Sequence, residues 1–95
     1  MNRRLIVKIC MAADDVLNYG KSVSYANIRR LVTRGLLTTA PYLIPKNVPI
    51  TEGDYMLVLQ VLREDRRLRG LKGHLEIPRQ VRFKNILEGI GAKGI

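Results

Sequence analysis

The sequence feature that most constrains the fold is the segment 51–73, in which a helix-start signal is followed by apolar residues and then by arginines. Thr51 and, three residues later, Asp54 form a variant of the capping box, in which each side chain bonds the backbone N–H of the other residue. Gly70 is a natural place for the helix to end in a left-handed conformation. The segment therefore predicts one helix that carries a core stripe first and a cationic cluster after it.

Two stretches upstream also have helical periodicity. Apolar residues recur at helical spacing in residues 3–19, and again in residues 25–33 after Ser24, a preferred N-cap. Gly20 is suited to end the first of these helices and to allow a turn. Two helices joined by a short glycine-containing turn make a helical hairpin or the first half of a helix-turn-helix.

The remaining segments are predicted to be less regular. Three prolines exclude a continuous helix in residues 36–50, so we expect an ordered connector that packs apolar residues on the core. Weak alternation in residues 73–77 and 79–83 predicts two short strands, or one strand and an arm. In the first of these strands His74 is expected to point outward.

The predicted fold is mainly α with a short β-ribbon: a winged-helix-like domain of three helices and a small wing, spanning residues 1–88. Residues 84–90 predict a last short helix, and residues 89–95 a flexible glycine-rich tail. An α+β alternative stays open, in which residues 36–44 and 54–62 pair as a central hairpin. A short apolar run does not by itself distinguish a strand from a helix.

The charge balance is the feature that most restricts function. The 95 residues contain 17 Lys and Arg against 8 Asp and Glu, a formal net charge of +9. Such an excess attracts polyanions, of which nucleic acid is the most common. The aromatic residues, four Tyr and one Phe, are too few for the stacking platforms of single-strand binders, so duplex DNA is favoured over RNA.

Two arginine-rich segments supply the candidate DNA contacts. Phosphates are predicted to be engaged by Arg29, Arg30, Lys72, Arg79, Arg82 and Lys84, and base edges to be probed by Arg63, Arg66, Arg67 and Arg69. Arginine predominates in residues 63–84, and its planar fork matches phosphates and guanine edges. The alternative for this segment is a solvent-exposed helix end with ion pairs at helical spacing, such as Glu64 with Arg67 or Asp65 with Arg69.

No set of residues supports catalysis or a metal site. One His and one Cys provide neither a metal-ligand cluster nor a nucleophile–base pair. His74 and Glu76 match part of a zinc deaminase motif, but the cysteine pair that would complete it is absent. Cys10 is expected to be a buried small hydrophobe. We therefore predict that the protein is not an enzyme and has no cofactor.

The sequence also predicts a cytoplasmic protein without a membrane partner. No stretch approaches the ~18 apolar residues that span a bilayer. The apolar residues near the amino terminus are interrupted by Lys8, which is unlike a signal peptide.

Residues 12–35, AADDVLNYGKSVSYANIRRLVTRG, resemble the opening of the N-terminal DNA-binding domain of plasmid KfrA-type repressors. The matching residues are Ala12, Ala13, Leu17, Gly20, Lys21, Ile28, Arg29 and Gly35. Residues 61–70 are similar to the end of the third helix in many winged-helix domains. Beyond Gly35 the proline-rich connector departs from the KfrA pattern, and the long coiled coil of that family is absent. The resemblances imply a compact helix-turn-helix or winged-helix DNA-binding domain.

Taken together, these features predict a double-stranded DNA-binding protein, sequence-specific or architectural, that serves as a transcription regulator or accessory factor of a phage, virus or plasmid. Palindromic sites would require a homodimer. Two alternatives stay open: a basic RNA-binding or ribonucleoprotein component, and a small protein that binds and inhibits an acidic host enzyme.

Overall fold

The computed structural model describes residues 3–17, 22–33 and 49–94, and these residues form four α-helices. The helices are α1 (Arg3–Leu17), α2 (Tyr25–Thr33), α3 (Glu52–Leu68) and α4 (Arg79–Gly94), with one 3-10 turn at His74–Glu76. The first three helices were predicted from the sequence and are confirmed. None of the described helices combines the length and the apolar content that crossing a bilayer requires.

The starts of α2 and α3 are fixed by local side-chain caps. Ser24 Oγ accepts the backbone N–H of Asn27 at 3.2 Å. Thr51 Oγ1 accepts the N–H of Asp54 at 3.2 Å, and the Asp54 carboxylate accepts the N–H of Thr51 at 3.0 Å. The predicted cap and capping box are therefore confirmed, and they satisfy backbone donors that a helix start leaves unpaired.

The end of α3 differs from the prediction. The helix ends at Leu68, and its C-cap Arg69 stays right-handed at a φ of −61°. Gly70 is not left-handed; within the described ranges the positive φ, 84°, belongs to Gly73. The left-handed residue therefore lies three residues later than predicted, just before the 3-10 turn.

The core lies where α1, α3 and α4 pack together, and α2 packs against α3. Tyr25 of α2 and Tyr55 of α3 meet edge to face, with ring centroids 5.8 Å apart. Fully buried residues come from all four helices: Ile9, Cys10, Leu17, Ile28, Val58, Val61, Leu62 and Phe83. Burial of these side chains on one face of each helix is the main source of stability.

The predicted β-ribbon is wrong, because the described residues are helical and contain no strand. The winged-helix-like class and the α+β hairpin alternative are therefore both corrected: residues 73–77 contain the 3-10 turn, and residues 54–62 lie inside α3. Pro78 stands just before α4, where a proline costs no hydrogen bond, and its carbonyl accepts the N–H of Arg82 at 3.0 Å. Phe83 and Leu87, one turn apart, are then buried together.

Several predictions fall outside the described residues. These are the Gly20 turn and the connector of residues 36–50 as far as residue 48. α4 continues through Gly94 over the segment predicted to be a flexible tail. The flexibility of that segment stays a prediction.

Candidate nucleic-acid interface

Two buried carboxylates organise many of the arginines that were predicted to contact DNA. Asp14 of α1 and Asp65 of α3 are each 1% exposed. A buried charge is tolerated only when it is paired and hydrogen-bonded. Both carboxylates therefore gather cations from α3, the 3-10 turn and α4, and we call this group the carboxylate cluster.

Asp65 binds three side chains. It accepts hydrogen bonds from Arg82 Nε at 3.0 Å and Arg69 Nε at 3.4 Å, and its Oδ1 lies 2.8 Å from His74 Nε2. Burial by itself would raise the pKa of Asp65, but the His74 hydrogen bond and the charges of Arg82 and Arg69 outweigh burial and hold the pKa below its ordinary value. Asp65 is therefore a carboxylate in the folded protein at neutral pH. His74, predicted to point outward, instead points inward.

Asp14 joins α1 to both of the other core helices. Arg69 Nη2 donates to Asp14 Oδ1 at 3.2 Å, and Arg79 Nη1 donates to Oδ2 at 3.2 Å. Arg66 Nη2 lies 3.7 Å from Oδ1. Arg79 also bonds Asp15. Since these cations come from α3 and α4, the contacts fix the end of α1 against two helices.

Five of the ten predicted DNA contacts are therefore engaged by carboxylates of the same chain. Four belong to the carboxylate cluster, and Arg67 pairs with Glu64 at the surface: Arg66, Arg67, Arg69, Arg79 and Arg82. The two helical ion pairs named as the alternative, Glu64 with Arg67 and Asp65 with Arg69, are both present. The other five predicted contacts are exposed: Arg29, Arg30, Arg63, Lys72 and Lys84.

A basic groove between α1 and α4 is a surface that the sequence did not predict. The α1–α4 groove has a volume of about 510 Å³. Its charged residues are Arg3, Arg4 and Lys8 of α1 with Lys84 and Glu88 of α4, and its apolar residues include Val7, Met11 and Leu87. Of these, only Lys84 was a predicted contact. The groove could not be predicted because no sequence signal shows that α4 lies beside the start of α1.

The charge of the α1–α4 groove is strongly positive. Arg3, Arg4, Lys8 and Lys84 are exposed, and none of them forms an ion pair with another described residue. Arg4 and Lys8 lie one turn apart on α1, so they share one side of that helix. Four cations therefore face a single carboxylate, Glu88.

The ion pairs described above leave most of the positive charge of the chain on other residues. The five engaged arginines are matched by four carboxylates, Asp14, Asp15, Glu64 and Asp65. This group has a net charge of +1, so the other residues of the chain hold +8 of the formal +9. Half of the acidic residues of the chain are thus paired with arginines that do not line the α1–α4 groove, and they do not neutralise its charge.

Comparison with family models, curated proteins and solved structures finds no match to this chain. The resemblance to KfrA-type repressors stays a prediction.

Proposed function

We propose that the protein binds double-stranded DNA through phosphate contacts in the α1–α4 groove and acts as a small accessory or architectural DNA-binding protein. The observation that supports this function is the set of four exposed cations, Arg3, Arg4, Lys8 and Lys84, which lack carboxylate partners among the described residues and line one groove. Contacts of this kind supply most of the affinity of non-specific DNA binding.

Contacts with phosphates are favoured over readout of base edges. The arginines that were expected to probe bases include Arg66, Arg67 and Arg69, and each is within ion-pair distance of a carboxylate of its own chain. Using them on DNA would require breaking those pairs. Cations that contact phosphates position a protein on the duplex but do not select a sequence. We therefore expect little discrimination between duplexes of different sequence.

The affinity for DNA should depend steeply on salt. Four phosphate contacts predict that log K falls with log salt with a slope of about −3.6, which is roughly a hundredfold loss of affinity between 50 and 200 mM salt. Fluorescence anisotropy with a labelled duplex of about two helical turns measures this slope directly. A slope near zero would exclude the proposal.

A pair of charge reversals tests the location of the binding surface. Arg4→Glu with Lys8→Glu should weaken duplex binding at least tenfold and make the salt slope shallower by about 2. The control, Arg30→Glu with Lys72→Glu, changes the net charge equally at two exposed cations outside the α1–α4 groove, and should stay within about threefold of the parent. If both double variants lose affinity equally, binding follows net charge and the groove is not the site.

A competition experiment distinguishes binding of duplex DNA from binding of structured RNA. Unlabelled duplex DNA should displace the labelled duplex at lower concentration than a structured RNA of the same number of phosphates. Stronger competition by the RNA would replace the DNA proposal with the ribonucleoprotein alternative.

A further inference from the structure

A second groove, between α3 and α4, is distinct from the α1–α4 groove and larger. The α3–α4 groove has a volume of about 840 Å³. Its apolar lining comes from both helices and from the segment between them: Leu68, Ile77, Ile86 and Ile90. Ile77 is 39% exposed, and the other three are half-buried. An apolar groove between two helices is one of the surfaces into which an amphipathic helix can dock.

Gly89 opens this groove at the α4 side. It lies inside α4 and lines the groove, and a Cβ added there would meet no atom within 4 Å. A glycine inside a helix is less favourable than alanine, and no described residue lies so close to Gly89 that a side chain would be excluded there. A glycine at such a position lets the backbone of a partner approach closely.

The rim of the α3–α4 groove is cationic. Arg63 and Arg67 of α3 are exposed, and Arg67 pairs with Glu64, the acidic residue of the rim. The net positive charge of the rim is therefore that of Arg63, which forms no ion pair with another described residue. Arg82 and His74 lie deeper, where both bind Asp65. The amides of Gln60 and Asn85 complete the polar lining. A partner that matches this surface combines an apolar stripe with carboxylates beside it.

We infer that the α3–α4 groove binds an acidic amphipathic helix of a partner protein. A helix fits a groove between two helices by inserting an apolar stripe at i, i+3, i+4 and i+7. An added β-strand would need a sheet edge, and the described residues contain no strand. A polyproline segment needs a groove lined by Tyr, Trp or Phe rings, and none of the lining residues is of these types. A second copy of the chain would bring a net charge of +9 against a cationic rim, which opposes self-association.

The test uses a designed peptide of about 18 residues, five helical turns, with leucines on one face and glutamates on the other. Titration into the labelled full chain, followed by amide NMR shifts, should move the signals of Ile77, Ile86, Gly89 and Ile90. The same peptide with lysine in place of glutamate should not bind. Signals that move at Lys8 and Lys84 instead, or an equal affinity for the lysine peptide, would overturn the inference. No binding of the acidic peptide would also overturn it.

Two substitutions test the groove itself. Gly89→Trp fills the opening and Arg63→Glu reverses the rim charge, and each should weaken peptide binding about tenfold or more. Lys8→Glu, the matched charge reversal in the α1–α4 groove, should stay within about twofold. Gly89→Ala serves as a folding control and should melt at or above the temperature of the parent. Unchanged peptide affinity of Gly89→Trp, with a melt like that of the parent, would contradict the inference. Shifts at these residues on concentrating the protein alone would identify a second copy as the occupant instead.

Discussion

Replacing Asp65 by alanine tests whether the carboxylate cluster holds the helices together. In the folded protein the Arg82 side chain is 8% exposed and donates through Nε to this carboxylate. Removing one partner of a buried ion pair leaves an uncompensated buried charge and typically costs 3–5 kcal/mol. Arg82 keeps one bond, from Nη1 to the carbonyl of Ile77 at 2.9 Å, and Arg69 keeps Asp14. We therefore expect the low end of that range, about 3 kcal/mol.

Such a loss is large for a domain of this size. Stability of roughly 0.05–0.15 kcal/mol per residue gives a total of about 5–14 kcal/mol for this chain. Urea unfolding followed by far-ultraviolet circular dichroism measures the change, and the midpoint should fall by about 1–3 M with an unchanged m-value. Asp65→Asn keeps the shape of the side chain and one acceptor but removes the charge, so its unfolding midpoint should lie between those of Asp65→Ala and the parent.

The matched control is Glu64→Ala on the same turn of α3. Glu64 pairs with Arg67 at the surface, where ion pairs contribute little to stability. The unfolding midpoint of Glu64→Ala should therefore equal that of the parent. If Asp65→Ala and Glu64→Ala have the same midpoint, the carboxylate cluster does not carry the stability assigned to it, and burial of apolar residues alone holds α1 against α3 and α4.

The acid dependence of Asp65, the turn at Gly73 and the burial of Cys10 can each be tested separately. The pKa of Asp65 is lowered in the folded protein, so this carboxylate stabilises the fold above its unfolded pKa of about 4, and the stabilisation is lost as the pH falls through the lower, folded pKa. Urea midpoints should therefore decline more steeply with acid for the parent than for Asp65→Asn. Parallel curves for the two proteins would contradict this. Gly73→Ala places a side chain at a φ of 84° and should lower the melting temperature by the equivalent of about 1–2 kcal/mol. The control Gly70→Ala, whose added Cβ meets nothing within 4 Å, should melt like the parent. Equal melting temperatures for the two variants would contradict backbone strain at position 73. Burial and the nearby charge of Asp14 raise the pKa of the Cys10 thiol, so iodoacetamide should label this residue only in denaturant; mass spectrometry that finds rapid labelling of the folded protein would contradict its burial.

Local signals were predictable from the sequence because both partners lie within one helical turn. The capping box at Thr51 and the cap at Ser24 each span three residues, and both were identified correctly. The predicted strands failed for the opposite reason: a few alternating residues around Pro78 are compatible with a ribbon, and the burial of Phe83 against distant helices decides for α4.

The partners of the arginines were not predictable from spacing, because Asp14 lies 55 residues before Arg69 and 65 before Arg79. One signal was nevertheless present in the sequence. Asp14 falls on the apolar face of α1 between Cys10 and Leu17, and a carboxylate in that position requires cations from elsewhere. Which cations would supply this need depends on tertiary packing, and so does the α1–α4 groove.

The long separation between Asp14 and Arg79 also affects how the chain is made. A ribosome adds about 5–20 residues per second, so Arg79 is synthesised about 3–13 seconds after Asp14. Throughout that interval the nascent chain has α1, with its apolar face and its acidic end, but not the helix that completes its docking. Fragments released before α4 is translated would expose this face to chaperones and proteases. Among the four described helices, α1 is therefore synthesised before the others but is among the last to be fixed in place.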